Sequence, residues 1–303
     1  MRYSDASKYE VLYDRKEGEV DARSLGGVRT RTIRAGEFLE IEAYPLINIT
    51  PPARDAMKKR ATREAQKKLN LENARKKVRR LLENNFGTGD FVLHPTFDYG
   101  FEDYGSYNKQ DKLNEFYRQG YPLCDDDARK IFRAFIKRIK RYIAARGGDP
   151  KQLKYLYVIE KTREPRDEDV NALPAHYHYH CALSGMGILT IEAINELWAA
   201  GYTKAEPVDM RFNGLKGFAR YIVKQNKSLR WAASRNLAAP EERVSTRSIS
   251  RRRLASIARD VQHAGKEILE KIYPGYRLEE EPIVRYSDFV AGAYIYARMR
   301  RRN

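Results

Sequence analysis

The 303-residue chain contains only two cysteines, Cys124 and Cys181. Two cysteines are too few for a disulfide framework or a four-cysteine zinc site, and they fit a reducing compartment. Residues 1–19 are rich in charge and lack the apolar segment of a signal peptide. The longest charge-poor stretch, residues 171–191, holds a proline, three histidines and two glycines, so it predicts no membrane span. We therefore expect a soluble, cytoplasmic protein that does not enter a membrane.

Acidic residues are scarce relative to basic ones. The chain has 58 Lys and Arg against 41 Asp and Glu, which gives a net charge of +17 at pH 7. This excess favours a polyanionic partner, with nucleic acid ahead of an anionic membrane surface. Hydrophobic residues make up 42% of the chain and aromatic residues 11%, which excludes a wholly disordered protein.

The first 84 residues predict an extension followed by a basic helix. Residues 1–53 show no sustained hydrophobic period, so we expect an irregular N-terminal extension. Residues 54–84 predict a helix, and its first part, 54–80, holds twelve Lys or Arg, three acidic residues and neither Gly nor Pro. Such a run is either a solvated helix face or a contact with DNA phosphates. The residues that we assign to DNA contact here are Lys58, Lys59, Arg60, Lys76 and Lys77.

Residues 85–228 alternate between strand-like and helix-like hydrophobic periods. The order strand, helix, strand, strand, helix, strand is that of β-α-β-β-α-β ferredoxin-like domains, so we predict an α+β fold with an antiparallel sheet and one further helix. Pro95 is awkward in the first strand because proline donates no backbone hydrogen bond. We predict strands at residues 91–97, 154–160, 176–184 and 207–212, and helices at 125–146, 191–200 and 215–225.

The C-terminal residues 229–303 predict a basic, largely helical region. A helix-like segment near residues 251–272 opens with Arg251, Arg252 and Arg253. We assign these three arginines to DNA contact, because clustered guanidinium groups neutralise backbone phosphates.

Three of the five histidines, His176, His178 and His180, fall within five residues on one predicted strand. Side chains alternate between the two faces of a strand, so the three imidazoles share one face while Tyr177 and Tyr179 share the other. A polar, histidine-rich outer face is the plainer interpretation. Because the opposite face is apolar and core-like, we favour a metal site.

Glu160 ends the preceding strand of the predicted hairpin and would lie across from the histidine strand, where neighbouring side chains are about 5 Å apart. Two imidazoles and one carboxylate leave coordination positions open, as in a catalytic metal site. An ordinary exposed carboxylate at a strand end is the alternative for Glu160. We prefer His178 with His180 as the imidazole pair, and His176 remains a possible extra ligand.

Tyr221 lies at the edge of the apolar stripe of the last predicted helix, with Lys224 three residues further on. A tyrosine in such a position most often packs with its hydroxyl in water. A phenol near pKa 10 becomes a nucleophile only beside a cation that stabilises its charge, and Lys224 or a metal ion would supply one.

Two of these segments resemble a known family. His178-Tyr179-His180, followed by the apolar Cys181-Ala182-Leu183, resembles the HUH signature, and Tyr221-Ile222-Val223-Lys224 resembles the tyrosine-x-x-lysine signature of single-tyrosine HUH endonucleases. More closely, residues 58–240 are similar to the replication-associated proteins with which phages, prophages and plasmids initiate rolling-circle replication. The similar segments also include Asn85-Phe86, Gly89-Asp90, Leu197-Trp198, Gly201-Tyr202, and Ser234-Arg235-Asn236-Leu237 with Pro240.

The resemblance implies a metal-dependent enzyme that nicks and rejoins single-stranded DNA at a replication origin, in the cytoplasm of a bacterial host. His178, His180 and Glu160 would hold Mg²⁺ or Mn²⁺, and Tyr221 would attack the scissile phosphate with help from Lys224. The product would be a 5′-phosphotyrosyl link and a free 3′-OH for a host polymerase, with a host helicase as a further expected partner.

Three other interpretations stay open at this point. Arg235, in the similar segment 234–237, is a further expected DNA contact, although an ordered loop with an exposed arginine is the plainer reading. A conjugative relaxase or a transposase would use the same chemistry. A protein of another class, a non-enzymatic basic nucleic-acid-binding protein, would hold a structural zinc ion at the histidines.

Overall fold

The computed structural model describes residues 25–47, 63–97, 124–161, 177–201, 203–211, 214–223, 231–287 and 290–302. The chain divides into two compact units, one from Met1–Asn84 with Ala239–Asn303 and one from Asn85–Ala238. It is an α+β protein with two antiparallel sheets. No helix within the described ranges is long and apolar enough to cross a membrane.

The helices and strands follow one another along the chain in a fixed order. They are β1 (Leu25–Ala35), β2 (Phe38–Ile47), α1 (Arg63–Asn85), β3 (Phe91–Pro95), α2 (Asp125–Ala145), a short 3-10 turn (Pro150–Gln152), β4 (Tyr155–Lys161), β5 (Tyr177–Leu183), α3 (Ile191–Trp198), β6 (Thr203–Pro207), α4 (Lys216–Ile222), β7 (Ala232–Ala233), β8 (Glu241–Ser245), α5 (Arg251–Arg259), α6 (Ala264–Ile272), β9 (Tyr276–Leu278), β10 (Ile283–Ser287) and β11 (Val290–Arg301).

The first unit is built on a sheet with the strand order β10-β11-β2-β1-β8, to which β9 adds by pairing with β11. The expectation of an irregular extension over residues 1–53 is therefore wrong for residues 25–47, which form the β1–β2 hairpin. In β2 the apolar Leu39 and Ile41 alternate with Glu40 and Glu42, and all four are buried. The charged alternate positions hide the strand in the sequence, because they suggest a solvated face.

One face of this sheet packs against α5 and α6 through an apolar core. Leu254, Ile257 and Leu269 of the two helices contact Ile41 and Ile295 of the sheet within this core. Amphipathic helices of this kind bury their apolar stripe, so their polar sides remain outside. The expected helical segment near residues 251–272 is thus two helices, separated by residues 260–263.

On the other face α1 supplies guanidinium groups to buried carboxylates. Glu40 accepts hydrogen bonds from Arg79 and from Arg80, and Arg80 also donates to Glu42 at 2.9 Å. Arg298 of β11 donates to Glu83 of α1 at 2.7 Å. Burial alone would raise the pKa of the Glu40 carboxyl, but the charges of Arg80 and Arg79 outweigh it and hold that pKa well below its usual range. Two of the basic residues of the predicted helix therefore serve the fold.

The C-terminal region is less helical than its composition predicts. Besides α5 and α6, it contains β8, β9, β10 and β11. The long strand β11 pairs with β2 and β10, and its residues 293–299 are all buried. Its basic end looks solvated in the sequence, yet Arg298 is 1% exposed because Glu83 neutralises it.

The second unit holds a sheet with the strand order β6-β3-β5-β4-β7, in which every neighbouring pair is antiparallel. Its element order is the predicted one: strand, helix, strand, strand, helix, strand, then a further helix. Helices α2 and α3 bury Phe132, Phe135 and Trp198 against one sheet face, with Tyr177 and Tyr179 of β5 in the same core. Thr190 caps α3, as its position predicts, by accepting from the backbone N–H of Ala193.

Two strand predictions need correction. The first strand ends at Pro95, where proline pairs only with Thr203 of β6, so its missing N–H interrupts no ladder in the interior of the sheet. The last strand runs over Thr203–Pro207 instead of 207–212. Because β6 is an edge strand and mostly exposed, it lacks an apolar pattern, whereas the buried Val208 and Met210 beyond it misled the prediction.

Candidate metal centre

Strands β4 and β5 place three side chains that can bind a metal on one sheet face. The register pairs Glu160 with His178 and Val158 with His180. Since Tyr177 and Tyr179 point into the apolar core, the two histidines point to the opposite face, as the strand period predicts. That face is the one on which the chemistry must take place.

The three side chains converge. Oε2 of Glu160 lies 3.2 Å from Nε2 of His178 and 2.9 Å from Nε2 of His180. The side chain of His180 is 3% exposed, that of Glu160 11% and that of His178 22%, so the cluster opens to solvent on the His178 side. The predicted grouping of Glu160, His178 and His180 is thus present in the structure, with ligand atoms within 4.8 Å of one another.

A fourth residue, His94 of β3, joins the cluster and was not predicted. Its Nε2 lies 3.0 Å from Nδ1 of His180, and the two rings meet edge to face with their centroids 4.1 Å apart. The register of β3 with β5, fixed by Leu93 opposite Cys181, brings His94 to the level of His180. One signal was available in the sequence: His94 alternates with the core residues Phe91 and Leu93, so it had to face the side of the two histidines.

The environment keeps the imidazole of His180 neutral. Burial, the nearby His94 and the nearby His178 lower the pKa of His180 to about 4, although Glu160 opposes the shift. Its contact with Glu160 at neutral pH is therefore a hydrogen bond and not an ion pair. Burial, together with His178 and Lys204, also lowers the pKa of His94. Neutral imidazoles are the form that binds metals, so the lowered pKa prepares His180 as a ligand.

The two ring nitrogens of His180 have separate partners. Nδ1 faces His94 and Nε2 faces Glu160, so one proton on the ring can satisfy only one of the two contacts as a donor. If Nδ1 donates to His94, then Nε2 carries a lone pair toward the carboxylate of Glu160. A cation between the two would remove their repulsion, which is the arrangement that holds the tautomer of a metal-binding histidine.

The distances fit a divalent ion. Two ligand atoms about 2.1 Å from one ion and at a right angle to each other are about 3 Å apart. The carboxylate oxygen of Glu160 lies at such distances, 3.2 and 2.9 Å, from the two Nε2 atoms of His178 and His180. Two imidazoles with one carboxylate suit Mn²⁺ and similar metals better than Mg²⁺, which prefers oxygen ligands. These residues would leave further positions of such an ion open.

Helix α4 brings Tyr221 to the cluster. The ring of Tyr221 stacks on the ring of His180 with centroids 5.3 Å apart and an interplanar angle of 26°, and it lies 6.4 Å from the ring of His94. The helix is held by buried Leu215, Ala219 and Ile222. Tyr221 itself is 49% exposed. The position at the edge of the apolar stripe thus delivers a phenol that is accessible to a large substrate.

The segments around the cluster are tied together by side-chain hydrogen bonds. Asp90 accepts from the backbone N–H of Gly185 and of Gly87, both at 2.9 Å, and so joins the start of β3 to the end of β5. The Ser234–Asn236 segment is held similarly, because the Ser234 hydroxyl accepts from the N–H of Tyr155. Arg235 between them is exposed, in agreement with the ordered-loop interpretation.

The remaining predicted site residues divide into two groups. His176, Lys224, Lys58, Lys59 and Arg60 lie outside the described residues. The others are described but do not belong to the cluster: the Lys76 ammonium lies 4.6 Å from the ring centroid of Tyr296, and the exposed residues are Lys77, Arg235, Arg251, Arg252 and Arg253. Their contact with DNA stays a prediction.

Comparison of the chain with models of protein families, with curated proteins and with solved structures finds no match. The function is therefore argued from the geometry of the site.

Proposed function

We propose that this protein is a metal-dependent endonuclease and strand transferase of single-stranded DNA, of the HUH single-tyrosine type, that initiates rolling-circle replication in the cytoplasm of a bacterial host. The observation that carries the proposal is the stacking of Tyr221 on His180, 5.3 Å apart, beside the Glu160, His178 and His180 cluster. A nucleophile and a metal centre that lie this close can act on one phosphate.

The sheet supports the same assignment. Counted within the second unit, the strand order β6-β3-β5-β4 is 4-1-3-2, which is the order of a ferredoxin-like β-α-β-β-α-β domain. We infer that the histidine strand is the third strand of this domain and that the tyrosine helix follows its last strand. This is the order that the resemblance to HUH endonucleases implies.

The proposed reaction is a transesterification. The phenolic oxygen of Tyr221 forms a bond to phosphorus as the bond from phosphorus to the 3′-oxygen breaks, so the 5′-phosphate remains on the tyrosine. The phenol gives up its proton and the 3′-oxygen gains one, which leaves a free 3′-OH. A Mg²⁺ or Mn²⁺ ion held by Glu160, His178 and His180 would neutralise charge on the phosphate. His94 would act as a positioning residue by holding His180 in one tautomer.

The decisive test is a covalent adduct. We expect the full chain, with Mn²⁺ and a random-sequence single-stranded DNA library labelled at its 3′ end, to give a labelled protein band on a denaturing gel. Tyr221→Phe should abolish the band, whereas Tyr286→Phe, which alters a tyrosine of similar exposure, should retain it. An adduct that persists in Tyr221→Phe would place the nucleophile elsewhere.

The same assay separates the alternative of a structural zinc site. A protein that only binds nucleic acid would give no adduct and would unfold when EDTA removes its metal. The proposed enzyme should instead lose the adduct in EDTA, keep its circular dichroism spectrum, and regain the adduct when Mn²⁺ is added back.

A further inference from the structure

Helix α5 of the first unit has an outer face that carries only basic and small residues. Leu254 and Ile257 are buried in the core beneath the helix, which fixes its orientation. At 100° per residue, Arg252 and Arg259 point away from that core, with Ala255 and Ser256 between them. We call these four residues the α5 outer face. Arg251 and Arg253 flank it, and both are exposed.

These arginines do not stabilise the unit by ion pairing. None of Arg251, Arg252, Arg253 and Arg259 forms an ion pair with an acidic side chain that the structure describes, in contrast to the buried Arg298. No acidic residue lies in the first turn of α5. Three cations at the N-terminal end of a helix oppose its dipole, so their presence costs stability. A role in folding therefore does not account for them.

We infer that the α5 outer face binds the backbone and groove of double-stranded DNA. Arg252 and Arg259 are about 10 Å apart along the helix axis, and a helix fits the major groove of B-form DNA, which is about 12 Å wide. The small side chains of Ala255 and Ser256 let the helix approach the groove floor closely, while the arginines reach phosphates on both sides. This binding is separate from the proposed cleavage of a single strand and does not depend on it.

Other polyanions fit this face less well. A membrane-surface helix inserts apolar side chains into the lipid, but Leu254 and Ile257, the apolar residues of α5, are committed to the core. Single strands are bound by stacking their bases on aromatic side chains, and the α5 outer face has none. The nearby Tyr286 contacts the flank of the helix, where its hydroxyl donates to the carbonyl of Ala258. The chemistry of this face is thus that of a duplex-binding helix.

The test compares two double variants of the full chain. R252Q/R259Q removes two charges from the α5 outer face, and R277Q/R301Q removes two exposed charges from β9 and β11 of the same unit. All four side chains are exposed, so neither variant should unfold, which a thermal melt will check. The probe is a fluorescent duplex of mixed sequence, and its binding is measured by anisotropy over a salt series.

We expect R252Q/R259Q to bind the duplex about tenfold or more weakly, with the slope of log K against log salt reduced by about 2. R277Q/R301Q should change the affinity less than threefold in the same assay by the same reasoning on phosphate contacts. A second variant, Ala255→Glu, should weaken binding further, because it places a negative charge in the centre of the face. Adduct formation with single-stranded DNA should be unchanged in all three variants.

Equal effects of the two double variants would overturn the inference, because they would show that only net charge matters. It would also be overturned if R252Q/R259Q weakened binding of the matching single strand, or of a double-stranded RNA, as much as binding of the DNA duplex. Loss of the adduct in every variant, with duplex binding affected as expected, would count against the proposed cleavage and leave the inference standing.

Discussion

Nδ1 of His180 lies 3.0 Å from Nε2 of His94, across the neighbouring strands β5 and β3. The contact leaves Nε2 of His180 directed at Glu160. A histidine that binds a metal through one nitrogen is usually held by a hydrogen bond at the other, and here an imidazole takes the place of the more usual carboxylate or carbonyl.

The contact predicts that His94→Ala weakens metal binding by about 10- to 100-fold, since such outer partners have effects of this size. Isothermal titration with Mn²⁺ measures the change. His94→Gln should lose less affinity than His94→Ala, because its amide oxygen can still accept a hydrogen bond from His180. His263→Ala, which removes an exposed histidine of the first unit, is the control and should leave the affinity unchanged. Equal affinities for His94→Ala and the parent protein would show that His94 does not hold His180.

The fold of the second unit follows largely from local sequence patterns. Helix α2 has apolar residues at a regular helical spacing, and strands β4 and β5 alternate or run apolar over the predicted residues. Glu160, His178 and His180 could be grouped from the sequence because they lie on one hairpin, in which the register is set locally. His94 could not, because its position beside His180 depends on which strands of the sheet become neighbours.

The first unit was harder to predict for a physical reason. Pattern analysis treats a charged residue as a solvent-facing one, but Glu40 and Glu42 of β2 face the buried guanidinium groups of Arg79 and Arg80. The two elements are far apart in sequence, so neither the strand nor the buried part of α1 announces the other. Charge complementarity across such a distance becomes visible only in three dimensions.

The network makes Glu40→Gln a strongly destabilising change. It would leave Arg79 and Arg80 buried without a charge partner between them, and breaking a buried pair in this way costs about 3–5 kcal/mol. Urea denaturation followed by circular dichroism measures the free energy of unfolding. Glu72→Gln, which breaks an exposed pair with Arg75 in the same helix, should cost less than about 1 kcal/mol. Similar losses in the two variants would contradict the structural role of the network.

The pKa of Glu40 gives the same network a defined dependence on pH. Because Arg80 and Arg79 hold that pKa well below its usual range, the folded protein binds a proton at Glu40 less readily than the unfolded chain does. The contribution of Glu40 to stability is therefore fully present above the unfolded carboxyl pKa, about 4.3, and is lost as the pH falls below it. The difference in unfolding free energy between the parent protein and Glu40→Gln should shrink progressively on acidification. A constant difference across this range would show that the carboxylate charge is not the source of the stability.

Gly185 tests whether the junction between β3 and β5 needs a glycine. A Cβ atom added there would lie 2.0 Å from the carbonyl oxygen of Gly89, a backbone atom that cannot move aside without disturbing the turn that Asp90 holds. We expect Gly185→Ala to destabilise the protein by about 1–3 kcal/mol, as overpacking in a close contact does. Gly217→Ala, on α4 with open space around it, is the matched change and should raise stability by about 0.5–1 kcal/mol. Thermal denaturation distinguishes the two, and an unaltered melting temperature for Gly185→Ala would mean that β3 and β5 can separate at this point. The register that places His94 beside His180 would then need another support.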